Sequence, residues 1–362
     1  METFAKAGFR SSQPLSLLQP SISTSFLFSV GFVDVMDAIA GNAVNLDGAA
    51  TLQRCFRHFD MERVSDGRHL SFFEMAGALR CQNWRIEDLV FPLIHYLCKE
   101  CQLPVEKLHV TYFGGGNVAG VVLPSDDKAR NAYLEAGISR NHIWPGDSSS
   151  NIWFEGANSG TERSGICGPN SEVFLEITPA DRFNAGPLTQ PTRFIELSNI
   201  VTITHHKQSN GLNPLPAPLV ELAVGMERID MVMEGLTNVY ESVKFRSIAD
   251  SMFPFYASSA KNGSLIDARV AAIDHLRALT HLMADGARPG PKGRGHVIRR
   301  LFRRLLKFSG TLNLNVRAAF PAIADAIENV DRKLNPNLST ELPQVVQVFD
   351  CESARMLQAS II

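Results

Sequence analysis

Apolar and polar positions alternate differently along the two halves of the chain. From Glu87 to Cys101, Leu89, Val90, Leu93, Ile94 and Leu97 recur at helical spacing, which predicts an amphipathic helix stopped by Leu103-Pro104. Leu108–Phe113 (LHVTYF) then alternates as a strand and is closed by Gly114, Gly115 and Gly116. Ser171–Ile177 (SEVFLEI) and Arg193–Ile203 (RFIELSNIVTI) read as two further strands, the second followed by a turn, QSNGLNPLP. Leu219–Arg228 (LVELAVGMER) predicts a buried strand that passes Gly225 into a helix reaching about Glu234. Phe26–Ala40 reads as a strand running into a helix, and Gly156–Pro169, with four glycines, as a loop.

Beyond Tyr240 the period becomes helical. Val270, Ile273, Leu276, Leu279 and Met283 mark a helix ending at Gly286, and a Pro/Gly-rich loop, Arg288–Gly295, leads into another. Ala318–Ile362 predicts more helix, broken around Asn335–Asn337. Short strands followed by helices make the chain α+β, and 362 residues are enough for two cores.

Charge singles out one helix. Gly293–Lys307, GRGHVIRRLFRRLLK, holds six Lys or Arg in a chain whose formal net charge is −2. Arg299, Arg303 and Lys307 fall at i, i+4 and i+8 with Arg300 and Arg304 beside them, while Ile298, Leu301, Phe302 and Leu305 form the opposite stripe. A basic face anchored by an apolar back fits an anionic partner, nucleic-acid phosphate first, although a solvated helix surface has the same pattern. A second basic stretch, with Arg54, Arg57, His58, Arg63, Arg68 and His69, surrounds the apolar-acidic SFFEMAG of Ser71–Gly77, where guanidinium forks could hold phosphate. The strand–Gly225–helix junction leaves free backbone N–H groups for an anion.

Composition narrows the class. Hydrophobic residues at 45% and charged residues at 20% are those of a globular protein, and no run reaches the roughly 18 apolar residues of a membrane span. Six scattered cysteines suggest reduced thiols inside a cell, and the Cys98/Cys101 pair has no second pair to complete a zinc site, so no metal ligands are assigned. Residues 3–33 carry Lys6, Arg10, seven serines and no acid, a transit-peptide composition that the folded start of a domain would equally have.

Six blocks, in order, resemble alanyl-tRNA synthetase, a class II aminoacyl-tRNA synthetase. LLQPSISTSFLFSVGF is similar to its opening segment. Gln53–Arg57 with Phe72-Phe73-Glu74-Met75 resembles motif 2. Asn151-Ile152-Trp153 and Gly165–Glu172 resemble its loop and GPCGPCSE-like block, and Phe194–Val201 its EIWN strand. Pro214–Pro216 through Arg228 resembles motif 3, and Ala284–Gly286 with GRGHVIRRLFRR its most specific signature. The resemblance implies a class II antiparallel sheet flanked by helices, with residues 1–235 a catalytic domain and 236–362 part of a helical tRNA acceptor-stem recognition domain. It implies ATP-dependent activation of alanine with Mg²⁺, then transfer of the alanyl group to the 3′ end of the alanine tRNA. Carried over by position, Arg57 would hold the α-phosphate, Arg228 the tail of ATP, Gly225 the same nucleotide, and Glu74 would lie near adenine. Trp153, Asn199 and Val201 would wall the alanine pocket and Glu221 would bind the amino group. Arg294, Arg299, Arg300, Arg303 and Arg304 would contact tRNA.

The chain also departs from that family. Arg57 runs through His58-Phe59 to Asp60 without the usual glycine-lysine-histidine loop. Glu221 stands for an aspartate, Ala223 for a glycine, Ser198 for a tryptophan and Asn170 for a cysteine. The family's editing domain would lie beyond Ile362, so the expectation is a divergent, truncated enzyme, mitochondrial or otherwise cytoplasmic. A catalytically impaired paralogue that binds tRNA, and a nucleotide-binding protein without a tRNA role, stay open.

Overall fold

The computed structural model describes residues 1–18, 48–81, 83–155, 165–178, 185–209, 211–255 and 263–359. The strand-to-helix expectation for Phe26–Ala40 lies outside these residues. The described residues fall into two compact units, one drawn from Met1–Pro14, Gly31–Gln53 and Met75–Thr237, the other from Leu15–Val30, Arg54–Glu74 and Asn238–Ile362.

Strands dominate the first unit: β1 (Arg10–Ser11), β2 (Ala49–Phe56), β3 (Phe72–Arg80), β4 (Leu108–Phe113), β5 (Gly116–Val118), β6 (Val121–Leu123), β7 (Ile143–Gly146), β8 (Ile152–Phe154), β9 (Gly165–Glu176), β10 (Phe194–Gln208) and β11 (Gly211–Gly225). Their sheet runs β1-β2-β3-β11-β10-β9-β4-β7, with β8 on β9 and β5-β6 a separate ribbon. The centre, from β3 to β4, is antiparallel, as expected. Parallel pairs, β1 with β2 and β4 with β7, make the sheet mixed at its ends. Residues 54–56 of β2 and 72–74 of β3 belong to the second unit.

One loop expectation is corrected for a steric reason, and the expected hairpin-like turn is present but shorter than the stretch read for it. Gly165–Pro169 is strand, not loop: a Cβ on Gly168 would sit 1.9 Å from the Thr202 carbonyl oxygen, so glycine lets β9 lie flush on β10. Most of QSNGLNPLP is strand as well, with Gln208 opposite Gly211. Pro214 pairs with His205 of β10, and Pro216 and Pro218 fall in the irregularity between that pair and Ile203–Leu219, before β3 joins at Val220, so their missing N–H groups break no ladder.

The helices of this unit are α1 (Glu2–Lys6), α2 (Glu87–His95), α3 (Asp127–Glu135) and α4 (Met226–Met233). α2 is the predicted amphipathic helix, burying Leu89, Val90, Leu93 and Ile94, but its last turn, Tyr96–Glu100, widens to π-helix. Asp126 caps α3 by accepting a hydrogen bond from Ala129 N at 3.1 Å. β4 is buried at all six positions, including polar His109 and Thr111, so its alternation does not mark a solvated face.

In the second unit are α5 (Val243–Met252), α6 (Gly263–Ala284), α7 (Gly293–Thr311), α8 (Val316–Asp331) and α9 (Leu338–Ala359). α6 stops at the predicted glycine: Gly286 takes φ +95°, and Ala287 N returns to Leu282 O at 2.8 Å. Gly290 and Gly295 then meet backbone to backbone ahead of α7, Gly290 N donating to Gly295 O at 2.8 Å. α7 buries Ile298, Leu301, Phe302 and Leu305, the apolar stripe read from the sequence, and Val297 besides. Asn335–Asn337 lies in the break between α8 and α9, and Phe349 of α9 stacks on Phe320 of α8 at 3.6 Å. Among the described residues no helix is long and apolar enough to cross a membrane.

Candidate active site

Strand register gathers the predicted site residues of the first unit on one sheet face. Across the ladders Thr111, Glu172, Asn199 and Ala223 stand in one row, and Asn170, Val201, Glu221 and Leu79 in the next. Side chains opposite one another share a face, and so do residues two apart along a strand. Both rows therefore project from the same side. Trp153 of β8 lies opposite Gly168 and joins that side, packing on a cluster that contains Val201, Leu79 and Ile166. Trp153, Asn199, Val201 and Glu221, from three different strands, are thus gathered on one sheet face. Gly225 ends β11 in extended conformation, and Arg228 in the first turn of α4 donates through Nη1 to Glu196 Oε2 and to Glu196 O, both at 3.0 Å.

A polar network runs across this face, and Glu172 at its centre is a residue to which sequence alone assigned no role. Glu172 accepts hydrogen bonds at Oε1 from Asn170 Nδ2 (3.3 Å) and Asn199 Nδ2 (3.5 Å), and at Oε2 from Thr111 Oγ1 (3.4 Å). Asn170 Nδ2 also reaches Asn199 Oδ1 at 3.2 Å, so Asn199 is held at both ends of its amide. Asn151 supports the set by donating to Thr111 Oγ1 (3.0 Å) and Asn170 O (3.1 Å). Burial pushes the Glu172 carboxyl up to about 8, the neighbouring Glu196 charge adding to it against the hydrogen bonds from Thr111 and Asn170. Asn170 Oδ1 and Asn151 Oδ1 are buried without a partner among the described residues. The signal for this network was present in SEVFLEI, where Glu172 stands on a strand that buries Val173 and Leu175.

The remaining predicted residues belong to the second unit. Arg57 follows β2 and lies over the Phe73 ring at 5.0 Å, its N–H bonded to Ser71 O at 2.8 Å; Glu74 is on β3. On α7, Arg294 donates to Leu18 O (3.0 Å) and Arg300 to Glu62 (2.7 Å). Arg304 bonds Glu62, Met61 O (2.8 Å) and His275 Nε2 (3.1 Å). Arg299 and Arg303 have no partner among the described residues.

No group of three or more His, Cys, Asp or Glu among the described residues is arranged to hold a metal ion. Glu172 is held toward neutrality and Glu196 is paired with Arg228, so this donor set does not fit a Mg²⁺ site of its own.

Curated relatives share this frame. An alanine–tRNA ligase of Dehalococcoides mccartyi is 28% identical over 98% of this chain and 40% of its own length. One from Ruthia magnifica is 29% identical over 99% of this chain and 41% of its own. A chloroplastic/mitochondrial alanine–tRNA ligase of Sorghum bicolor is 27% identical over 95% and 36%. The chain spans about 40% of the length of the relatives it matches. A family model described as tRNA synthetases class II (A) matches residues 1–359. Because that match runs through both units, sheet and helices alike, the chain belongs to the class II tRNA synthetases.

Proposed function

We propose that this chain carries the aminoacylation chemistry of an alanine–tRNA ligase. The observation that supports it best is the shared sheet face of Trp153, Asn199, Val201 and Glu221, with Asn199 held in place by Asn170 and Glu172 beside it. An indole, a valine and a short amide leave room for a methyl-sized side chain, and Glu221 supplies the negative charge that an α-ammonium needs.

In the first step the alanine carboxylate attacks the ATP α-phosphorus, the bond to the bridging oxygen breaks, and pyrophosphate leaves. In the second, the terminal ribose hydroxyl of the tRNA attacks the acyl carbon and AMP leaves. Both steps depend on positioning and charge neutralisation. Arg57 is assigned to the α-phosphate, Arg228 and the Gly225 junction to the rest of the nucleotide, and Glu74 to the adenine side. Arg228 would exchange its bond to Glu196 for phosphate. Mg²⁺ would come with the triphosphate, and none of these residue roles depends on it. The tRNA acceptor stem is assigned to α7 through Arg294, Arg299, Arg300, Arg303 and Arg304, and a mitochondrial setting rests on the motif departures and the plant organellar relative.

Exchange of labelled pyrophosphate into ATP, with alanine, glycine and serine side by side, tests the reading: alanine-dependent exchange is expected. Its absence in folded protein would favour the second reading, a tRNA-binding paralogue that does not aminoacylate. Glu221 in place of aspartate and the missing glycine-lysine-histidine loop after Arg57 are the observations behind that alternative.

A further inference from the structure

Two of the five α7 arginines converge on one carboxylate within the second unit. Arg300 Nη2 donates to Glu62 Oε1 at 2.7 Å, and Arg304 Nη1 donates to Glu62 Oε2. Two guanidinium groups each binding one oxygen of a single anion is the arrangement by which paired arginines hold a phosphate. Arg304 is fixed from behind as well. Its Nη2 donates to Met61 O at 2.8 Å and its Nε to His275 Nε2 at 3.1 Å. His275 therefore carries its proton on Nδ1, which donates to Asp274 Oδ2 at 3.0 Å, and Asp274 in turn accepts from Ser71 N at 2.8 Å. His275 and Asp274 are both buried.

Arg304 is thus fixed from the interior, whereas Arg300 and the shared occupant lie at the surface. Glu62 keeps 57% of its side chain exposed, so its bonds are open to competition from solvent and from other anions. Met61, next to it, is fully buried, so the backbone that presents Glu62 is anchored. Hydrogen bonds from Arg300 and the charge of Arg304 hold the Glu62 carboxyl below its ordinary value, which keeps it an anion at neutral pH.

We propose that Arg300 and Arg304 form a two-guanidinium phosphate clamp, and that Glu62 is the internal anion an RNA backbone phosphate must displace to enter it. The proposal rests on the reading that α7 faces RNA. It divides the basic helix into Arg299 and Arg303, available at any moment, and a pair whose contribution is opposed by a built-in competitor. Glu62 then lowers affinity for every polyanion and lets only a backbone that reaches both guanidinium groups recover the loss.

The test measures binding of the full chain to a fluorescein-labelled RNA hairpin carrying an alanine-tRNA acceptor stem, by anisotropy between about 50 and 200 mM salt. Glu62→Gln is expected to bind about five- to tenfold tighter at the low-salt end, with a log K against log salt slope steeper by about one to two. Asp127→Asn, which removes one exposed charge in the other unit, controls for net charge and is expected to leave both quantities unchanged. Equal tightening by Asp127→Asn would overturn the clamp, since net charge would then account for the effect. Binding by the unaltered chain with no change in Glu62→Gln would overturn the clamp and leave the RNA role of α7 standing. Binding by Glu62→Gln alone would support the clamp in its strongest form. Failure of both proteins to bind would overturn the RNA reading and the clamp with it.

Discussion

Arg277 of α6 and Glu172 of β9 are both deeply buried ionisable groups, yet their surroundings are opposites. Arg277 is 1% exposed and bonds Asp331 twice, Nε to Oδ2 at 2.7 Å and Nη2 to Oδ1 at 3.0 Å, while a third donor reaches Phe72 O at 3.3 Å. His281 adds a bond to the same carboxylate at 2.9 Å and stacks on Phe72. Burial alone would raise the Asp331 carboxyl, but the Arg277 charge and the bonds from His281 and Arg277 outweigh it and hold it well below the carboxylate range. Apart from His281 Nδ1, every nitrogen and oxygen named here has a partner. Glu172 has amides and a hydroxyl around it but no cation bonded to it, its carboxyl is pushed upward, and neighbouring Asn170 Oδ1 and Asn151 Oδ1 lack partners.

A buried charge with full compensation is what a scaffold needs, and a buried polar set left short of partners is more often found where a ligand completes it. By this criterion α6 is the frame of the second unit and the β9–β10 face is the candidate ligand surface of the first. The spacing of Asp274, Arg277 and His281 along α6, with Asp285 in the turn that follows it, supports the first half of that statement. The three helical residues lie along one side of α6 and bind Ser71, Asp331 or Phe72, and Asp285 binds Arg54.

The sharpest way to break this contrast is Asp331→Ala. It strips Arg277 and His281 of their shared carboxylate, and a loss of about 3–5 kcal/mol is expected in urea denaturation. A loss below about 1 kcal/mol would mean that the network is not the frame. Glu172→Gln should behave differently, with an effect that depends on pH. Glu172 has a folded-state value of about 8, above its ordinary 4.5, so its contribution to stability is fully present below the lower value and is lost as pH rises through the upper one. Glutamine keeps the amide-sized volume and cannot ionise. The melting temperature of the variant relative to the unaltered chain should therefore climb between about pH 5 and about pH 9. A difference that stays flat with pH would show Glu172 to be an ordinary ionised carboxylate. The smallest effect on stability belongs to Arg299→Gln with Arg303→Gln, within about 0.5 kcal/mol, because neither has a partner among the described residues. That double variant should still make the salt slope of RNA binding shallower by about two.

Local periodicity carried much of the fold into view. Ile298, Leu301, Phe302 and Leu305 could be placed on one face of a helix because 3.6-residue spacing is a property of a single segment. Gly168 and the Pro214–Pro216 stretch read as loop and turn because glycine and proline signal turns when only neighbours in sequence are considered, whereas both lie in strands. The reasons, the flush approach of β10 and the absence of β3 before Val220, are properties of other strands. The candidate site divides along the same line. Trp153, Asn199, Val201 and Glu221 came from the resemblance, but the hold of Asn170 and Glu172 on Asn199 depends on register across β9 and β10. Glu62, 238 positions from Arg300, carried no signal toward it at all.

Gly290 and Gly295 give the basic helix a different kind of guarantee from the one charge provides. A Cβ on Gly295 would lie 2.7 Å from both Gly290 Cα and Gly290 N, so position 295 has space for a hydrogen atom and nothing larger unless the backbone moves. The surface arginines that follow could exchange places with lysine, or with one another, and α7 would keep most of its field. Position 295 allows no such trade, whereas a Cβ at 290 would meet nothing nearer than 3.4 Å. A single methyl group at 295 would push the Gly290 backbone away from the first turn of α7, so the close seat of the preceding loop depends on a residue that contributes no side chain.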